Sequence, residues 1–153
     1  MLSKKTYYAL KALLYLGKAK ASIQNPMLIK ELVEKTGLPK KFTEAILVDL
    51  KQAGMINSKM GKGGGYYLAK PSHHIIIGTV IRNMDGPLAL ISCVSKTAYE
   101  DCSHCKNKNA CSIRIIFQEI RDKTAELLDS TSLKSMIDQE ETLEQLKGLH
   151  YDI

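Results

Sequence analysis

Apolar residues Tyr7, Leu10, Leu13, Leu14 and Leu16 recur at near-helical spacing and predict a first amphipathic helix over residues 6–20, with Gly17 close to its end. Asn25-Pro26 reads as a loop. A short second helix is predicted over residues 27–35, with Leu28, Ile29, Leu32 and Val33 facing inward, and Thr36-Gly37-Leu38 breaks it. Proline suits a first helical position and disfavours helix at the residue before it, so Leu38-Pro39 marks a third helix that runs to about Ala53 and stops at Gly54. Phe42, Ile46, Leu47 and Leu50 form its expected inward stripe, leaving Lys40, Lys41, Thr43 and Glu44 on an exposed first turn. Two short helices joined by a glycine-containing turn read as a helix-turn-helix.

Residues 55–60, 61–65 and 66–69 then read as strand, glycine-rich turn and strand. A hairpin directly after a helix-turn-helix is the winged-helix arrangement. Pro71 begins a junction, and a further helix over residues 75–84 is ended by Asp85-Gly86-Pro87. Residues 92–111 are polar and irregular. Residues 112–129 carry Ile113, Ile116, Phe117, Ile120, Thr124, Leu127 and Leu128 at helical spacing, with little later chain to cover them. That face is expected to pack against a second copy in a symmetric homodimer. Residues 132–136 could add another turn. The expected fold is therefore mainly α with a small β-hairpin: a winged helix-turn-helix over residues 1–72, a sensor loop and long dimerisation helix over 73–137, and an acidic tail over 138–153.

Charge sharpens this division. Residues 1–70 hold 13 Lys against 4 Asp and Glu, whereas residues 71–153 hold 9 basic against 12 acidic side chains, so the two parts carry +9 and −3. Basic excess confined to the winged-helix part suits a polyanion, most often nucleic acid, or else a solubilising surface. The start of the chain lacks the apolar core of a secretory signal and no run of eighteen apolar residues occurs, so a cytoplasmic protein without a membrane partner is expected.

The four cysteines are equally uneven: Cys93, Cys102, Cys105 and Cys111 all fall within nineteen residues. In a chain with a good core, such clustering favours metal or redox chemistry over a disulfide framework. Soft thiolates suit an iron-sulfur cluster and zinc alike, and the Cys102-Ser-His-Cys105 spacing also fits a thiol-disulfide pair. Spacing leaves these open. His104 between two cysteines reads as a solvated loop residue, and His73 and His74 as capping or surface groups.

Tyr8-Ala-Leu-Lys-Ala-Leu-Leu-Tyr-Leu16, the helix-turn-helix of residues 29–54, Gly61-Lys-Gly-Gly-Gly-Tyr66, Ile81-Arg-Asn-Met-Asp-Gly-Pro-Leu88 and the cysteine-rich loop before a long helix together resemble the Rrf2 family of winged-helix regulators. That family includes IscR-like, NsrR-like and CymR-like members, and the likeness covers roughly residues 1–137. The resemblance implies a dimer on a palindromic or near-palindromic double-stranded DNA operator, with paired recognition helices in the major groove and wings on the flanking minor groove. It also implies an iron-sulfur cluster, 2Fe-2S ahead of 4Fe-4S, on three loop cysteines and a fourth ligand that varies. Cys105 and Cys111 keep the five-residue interval of IscR-like members, and Cys102 is the third candidate. Arg114 stands where IscR-like members have a ligand histidine, which leaves Cys93 as the candidate fourth ligand.

On the DNA side, Lys40, Lys41 and Thr43 lie on the expected first turn of the recognition helix. Glu44 either accepts from a cytosine amino group or pairs with a neighbouring lysine. Lys59 and Lys62 flank a wing whose Gly63 and Gly64 would let backbone approach a narrow groove, and Lys4, Lys5 and Tyr8 are candidate phosphate contacts. Structural zinc, a thiol-disulfide switch without metal, and a thiol-redox enzyme using Cys102 and Cys105 are the competing readings; the basic winged helix argues against the last.

Overall fold

A computed structural model describes residues 2–149, which form six helices and one two-stranded hairpin. Ser3 caps α1 (Lys4–Lys18), its hydroxyl accepting from the Thr6 amide at 3.1 Å, so the helix begins before Thr6 and takes Lys4 and Lys5 into its first turn. Cations sit badly at a helix N-terminus. The Asp85 carboxylate offsets them, accepting from the Ser3 amide at 2.9 Å and from the Ser3 hydroxyl. Burial works against the charged form of Asp85, but the Ser3 and Thr6 donors and the Lys5 charge outweigh it and hold its pKa below the usual carboxylate value. The buried face of α1 is Thr6, Ala9, Ala12, Leu13 and Leu16; Tyr7, expected inside, is exposed.

Helix α2 (Ile29–Thr36) ends on Gly37 in the left-handed conformation, with the Gly37 amide donating to Val33 O at 2.9 Å. Leu28, expected inside, is exposed at its start. Helix α3 (Lys40–Gln52) buries Thr43, Ile46, Leu47 and Leu50. This corrects the predicted stripe by one residue, because Phe42 is 63% exposed and Thr43 is fully buried. The Thr43 hydroxyl donates to Pro39 O at 3.0 Å, which satisfies its polar group inside the core.

Strands β1 (Ile56–Lys59) and β2 (Gly65–Leu68) pair antiparallel from Ile56 opposite Leu68 to Lys59 opposite Gly65. Met27 was expected to open α2 but exchanges backbone hydrogen bonds with Tyr66 at 2.9 and 2.7 Å, stitching the loop before α2 onto the hairpin.

Helix α4 (Ile77–Asp85) buries Val80 in the same cluster as Leu13, Leu16, Leu47 and Met55, so the core runs unbroken across residue 72. Helix α5 (Ser112–Ser130) buries no residue. Its end is fixed by backbone bonds from Ile77 N–H to Thr131 O (2.9 Å) and from Leu133 N–H to Ile75 O (2.8 Å), and by the Arg82–Asp129 ion pair at 2.6 Å. The boundary expected at Asp138 falls inside α6 (Leu133–Leu149), which buries Leu133 and Ile137 in the core. Lys18 bridges to Glu140 at 3.2 Å and Glu144 at 2.8 Å, carrying α6 along the end of α1. Residues 150–153 of the expected acidic tail lie outside the described residues. Among the described residues no helix is long and apolar enough to cross a membrane.

Candidate nucleic-acid interface and cysteine cavity

With Thr43, Ile46, Leu47 and Leu50 turned into the core, α3 exposes Lys40, Lys41, Phe42, Glu44, Ala45, Val48, Lys51 and Gln52. Two side-chain contacts fix what flanks this face. Lys5 on α1 pairs with Asp49 at 2.9 Å, and Lys51 donates to the Ser58 hydroxyl on β1 at 2.7 Å. The amino end of α1, the outer face of α3 and the hairpin therefore border one another. Lys4, Lys5, Lys40, Lys41, Lys59 and Lys62 are all exposed, and Lys59 reaches Ile23 O at 3.5 Å. Glu44 sits 4.0 Å from Lys40 one turn earlier, a contact open to the lysine-pairing alternative of its two expected roles.

Three expected contacts are placed differently. Thr43 is buried, Tyr8 is half-buried against the core, and Gly64 is buried in the hairpin turn, its amide donating to Gly61 O at 2.9 Å. The crowded Gly64 backbone explains that glycine without any ligand, whereas Gly63 is exposed at the tip.

The cysteines lie around the amino end of α5. Cys93, Cys102, Cys105 and Cys111 all line one cavity of about 630 Å³, together with Tyr99, Asp101, His104 and Arg114. Cys102 is exposed and the other three are half-buried. The Cys105 amide donates to Cys102 O at 3.2 Å and closes the turn between them. Lys108 pairs with Asp101 at 2.5 Å, and the Tyr99 hydroxyl donates to the same carboxylate, so the loop is clasped across its mouth.

Cys111 is the N-cap of α5, and its thiol is pulled below its ordinary pKa, first by the Arg114 amide that faces it without completing a capping hydrogen bond. Burial opposes this; the Cys105 thiol, the Ile113 amide and the Arg114 charge assist. Burial pushes Cys105 the other way, helped by Cys111 and Cys102.

Arg114 and Arg121 were not foreseen as organisers of this region. Arg114 donates to Cys93 O at 3.3 Å and to Lys108 O at 3.5 Å, and Arg121 to Val94 O and Asp122. Both stand on one side of α5, seven residues apart, and tie it to the short turn carrying Cys93. Their common spacing off the apolar stripe was the available signal.

Soft sulfur donors around a single cavity fit a thiolate-bound iron or zinc centre. Among the described residues, however, no three His, Cys, Asp or Glu side chains are drawn together closely enough to hold a metal ion. The donors match such a group in kind, and binding would require the cysteines to draw closer together.

Comparison with known proteins agrees with the fold. The Rrf2 family, described as an iron-dependent transcriptional regulator, matches residues 2–139. An rrf2-like HTH-type transcriptional regulator of Rhodobacter capsulatus is 39% identical over 138 residues, 90% of this chain and 92% of that protein. The HTH-type transcriptional regulator IscR of Vibrio campbellii is 29% identical over 143 residues, 94% of this chain and 80% of its own. Among solved structures, CymR, the global cysteine regulator of B. subtilis, superposes with a TM-score of 0.74 at 27% identity, covering 91% of this chain and 97% of that one.

Proposed function

The chain belongs to the Rrf2 family of transcriptional regulators, and from that premise we propose that it binds duplex DNA as a homodimer and senses iron-sulfur status, redox state or nitric oxide through an iron-sulfur cluster on its cysteines. The family and these relatives are regulators rather than enzymes, which sets aside a thiol-redox enzyme built on Cys102 and Cys105. The observation that carries the sensing role is the convergence of all four cysteines on one cavity at the start of the otherwise unburied helix α5.

Cys102, Cys105 and Cys111 would hold the cluster, with Cys93 as the fourth ligand; bound there, it would supply an iron centre whose charge and integrity change with oxidation, nitrosylation or loss of iron. The chain provides the path outward. Cys111 begins α5, and Arg114 and Arg121 fasten the same helix to the turn of Cys93 and Val94. A shift of the loop thus acts on α5, and through a dimer made by α5 on the separation of two recognition helices.

That dimer is the role proposed for the exposed apolar face of α5, where Ile113 is 63%, Ile116 53% and Leu127 66% exposed. Ile116→Glu is expected to leave the monomer folded, because the side chain lies outside the core, while shifting sedimentation from dimer to monomer and weakening DNA binding at least tenfold. A dimeric Ile116→Glu protein would place the interface elsewhere.

Metal chemistry is tested by anaerobic purification, visible absorbance and iron, sulfide and zinc analysis. The proposal predicts coloured protein with matched iron and sulfide, and colourless protein after Cys102→Ser, Cys105→Ser or Cys111→Ser. A thiol switch or zinc site is the second reading, supported by free thiols of Cys102, Cys105 and Cys111 lining the same cavity. Iron-free protein that also resists reconstitution would select it and exclude the cluster.

A further inference from the structure

The outer face of α3 carries more than lysine. Phe42 is 63% and Val48 53% exposed, and Ala45 between them is exposed as well. Successive members are three residues apart, so they are neighbours on the helix surface and form an apolar stripe. Lys40 and Lys41 stand at one end of the stripe and Gln52 at the other, with exposed Lys59 and Lys62 on the adjoining hairpin.

A merely solvated face gains nothing from an exposed phenylalanine and valine. Nor does the core need them, since Thr43, Ile46, Leu47 and Leu50 already fill the buried side. The surrounding lysines specify a polyanion, and duplex DNA presents apolar groups to a major-groove helix as the 5-methyl of thymine. We infer that Phe42, Ala45 and Val48 read thymine methyl groups, making this stripe a specificity determinant alongside the lysines. The inference rests on the DNA-binding reading above. Phe42 lies in the first turn, the end of a recognition helix that approaches base edges, and Val48 follows two turns on. Charge complementarity of the rim favours DNA over a protein partner on this face.

The test uses the full-length protein and a duplex selected by it from a randomised pool. Each thymine of the selected sequence is replaced in turn by deoxyuridine, which removes the methyl and nothing else. Wild type is expected to bind about fourfold more weakly at one or more positions, the loss for one buried methyl. Phe42→Ala and Val48→Ala should each abolish the effect at their own position while keeping the salt dependence and thermal midpoint of wild type, since both side chains lie outside the core. Deoxyuridine tolerated everywhere, no thymine retained by selection, or equal methyl losses in wild type and both variants would each overturn the inference. Variants indistinguishable from wild type on DNA would do the same and assign the stripe to a protein partner. A pool that shows no enrichment would overturn the DNA-binding reading with it, whereas enrichment without a methyl effect would overturn this inference alone.

Discussion

Replacing Lys40, Lys41, Lys59 and Lys62 together by alanine is expected to cost more DNA affinity than any other surface change. Each lysine that meets a phosphate releases about 0.9 counterions, so eight such contacts in a dimer flatten the dependence of log affinity on log salt by roughly seven. At low salt the loss amounts to several orders of magnitude. The variant should remain folded, because Lys40 is 68% exposed and the other three are also on the surface. Fluorescence anisotropy on one duplex between about 50 and 200 mM salt measures the slope directly. A slope unchanged from wild type would move the docking face away from α3 and the hairpin.

The second large effect is on stability. Gly65 has φ of 153° and packs against the backbone of the loop before α2; a Cβ there would lie 2.6 Å from the Met27 carbonyl carbon and 3.1 Å from the Leu28 amide nitrogen. Neither atom belongs to a flexible side chain that can turn aside. Gly65→Ala must therefore separate β2 from residues 27–28 and break the paired Met27 and Tyr66 hydrogen bonds. The expected loss is about 3 kcal/mol of unfolding free energy, read from a denaturant midpoint. Gly63→Ala provides the contrast, since nothing lies within 4 Å of its Cβ position and the cost is only the positive φ, about 1 kcal/mol. Equal midpoints for the two variants would mean that the hairpin is not fastened at Met27.

These effects trace back to features that differ in how openly the sequence shows them. Helices α1 to α5 and the hairpin were readable because apolar periodicity, Pro39 and the wing glycines act locally. The register of α3 was misjudged by taking the most apolar residues as the buried ones. Spacing was the better guide: residues 43, 46, 47 and 50 follow the i, i+3, i+4, i+7 rule, and Thr43 can enter the core because its hydroxyl bonds back to Pro39. That one-residue correction removes Thr43 from the candidate interface and brings Phe42 to it.

The final helix was hidden for another reason. Among the described side chains of α6 only Leu133 and Ile137 are buried, Met136 packs against the same core, and further along Lys18 of α1 pairs with Glu140 and Glu144, partners more than 120 residues apart. No local pattern announces such pairs. In the cysteine region, spacing and resemblance identified the four thiols, and the structure brings all of them to one cavity. The arginines that fasten this cavity to α5 show only as a seven-residue spacing off its apolar stripe, because the backbone carbonyls of Cys93 and Val94 to which they donate have no sequence signature.

Control of DNA binding by the cysteine cavity is the proposed step that joins the two halves of the chain. Its most direct test is the affinity of anaerobically prepared, iron-loaded dimer for its selected duplex before and after removal of iron, with Cys105→Ser as the unloaded reference. The expected result is a change of tenfold or more, in either direction, and no response in Cys105→Ser. Identical affinities in all three states, with the dimer intact, would contradict it and leave a DNA-binding protein whose cysteines serve some other purpose.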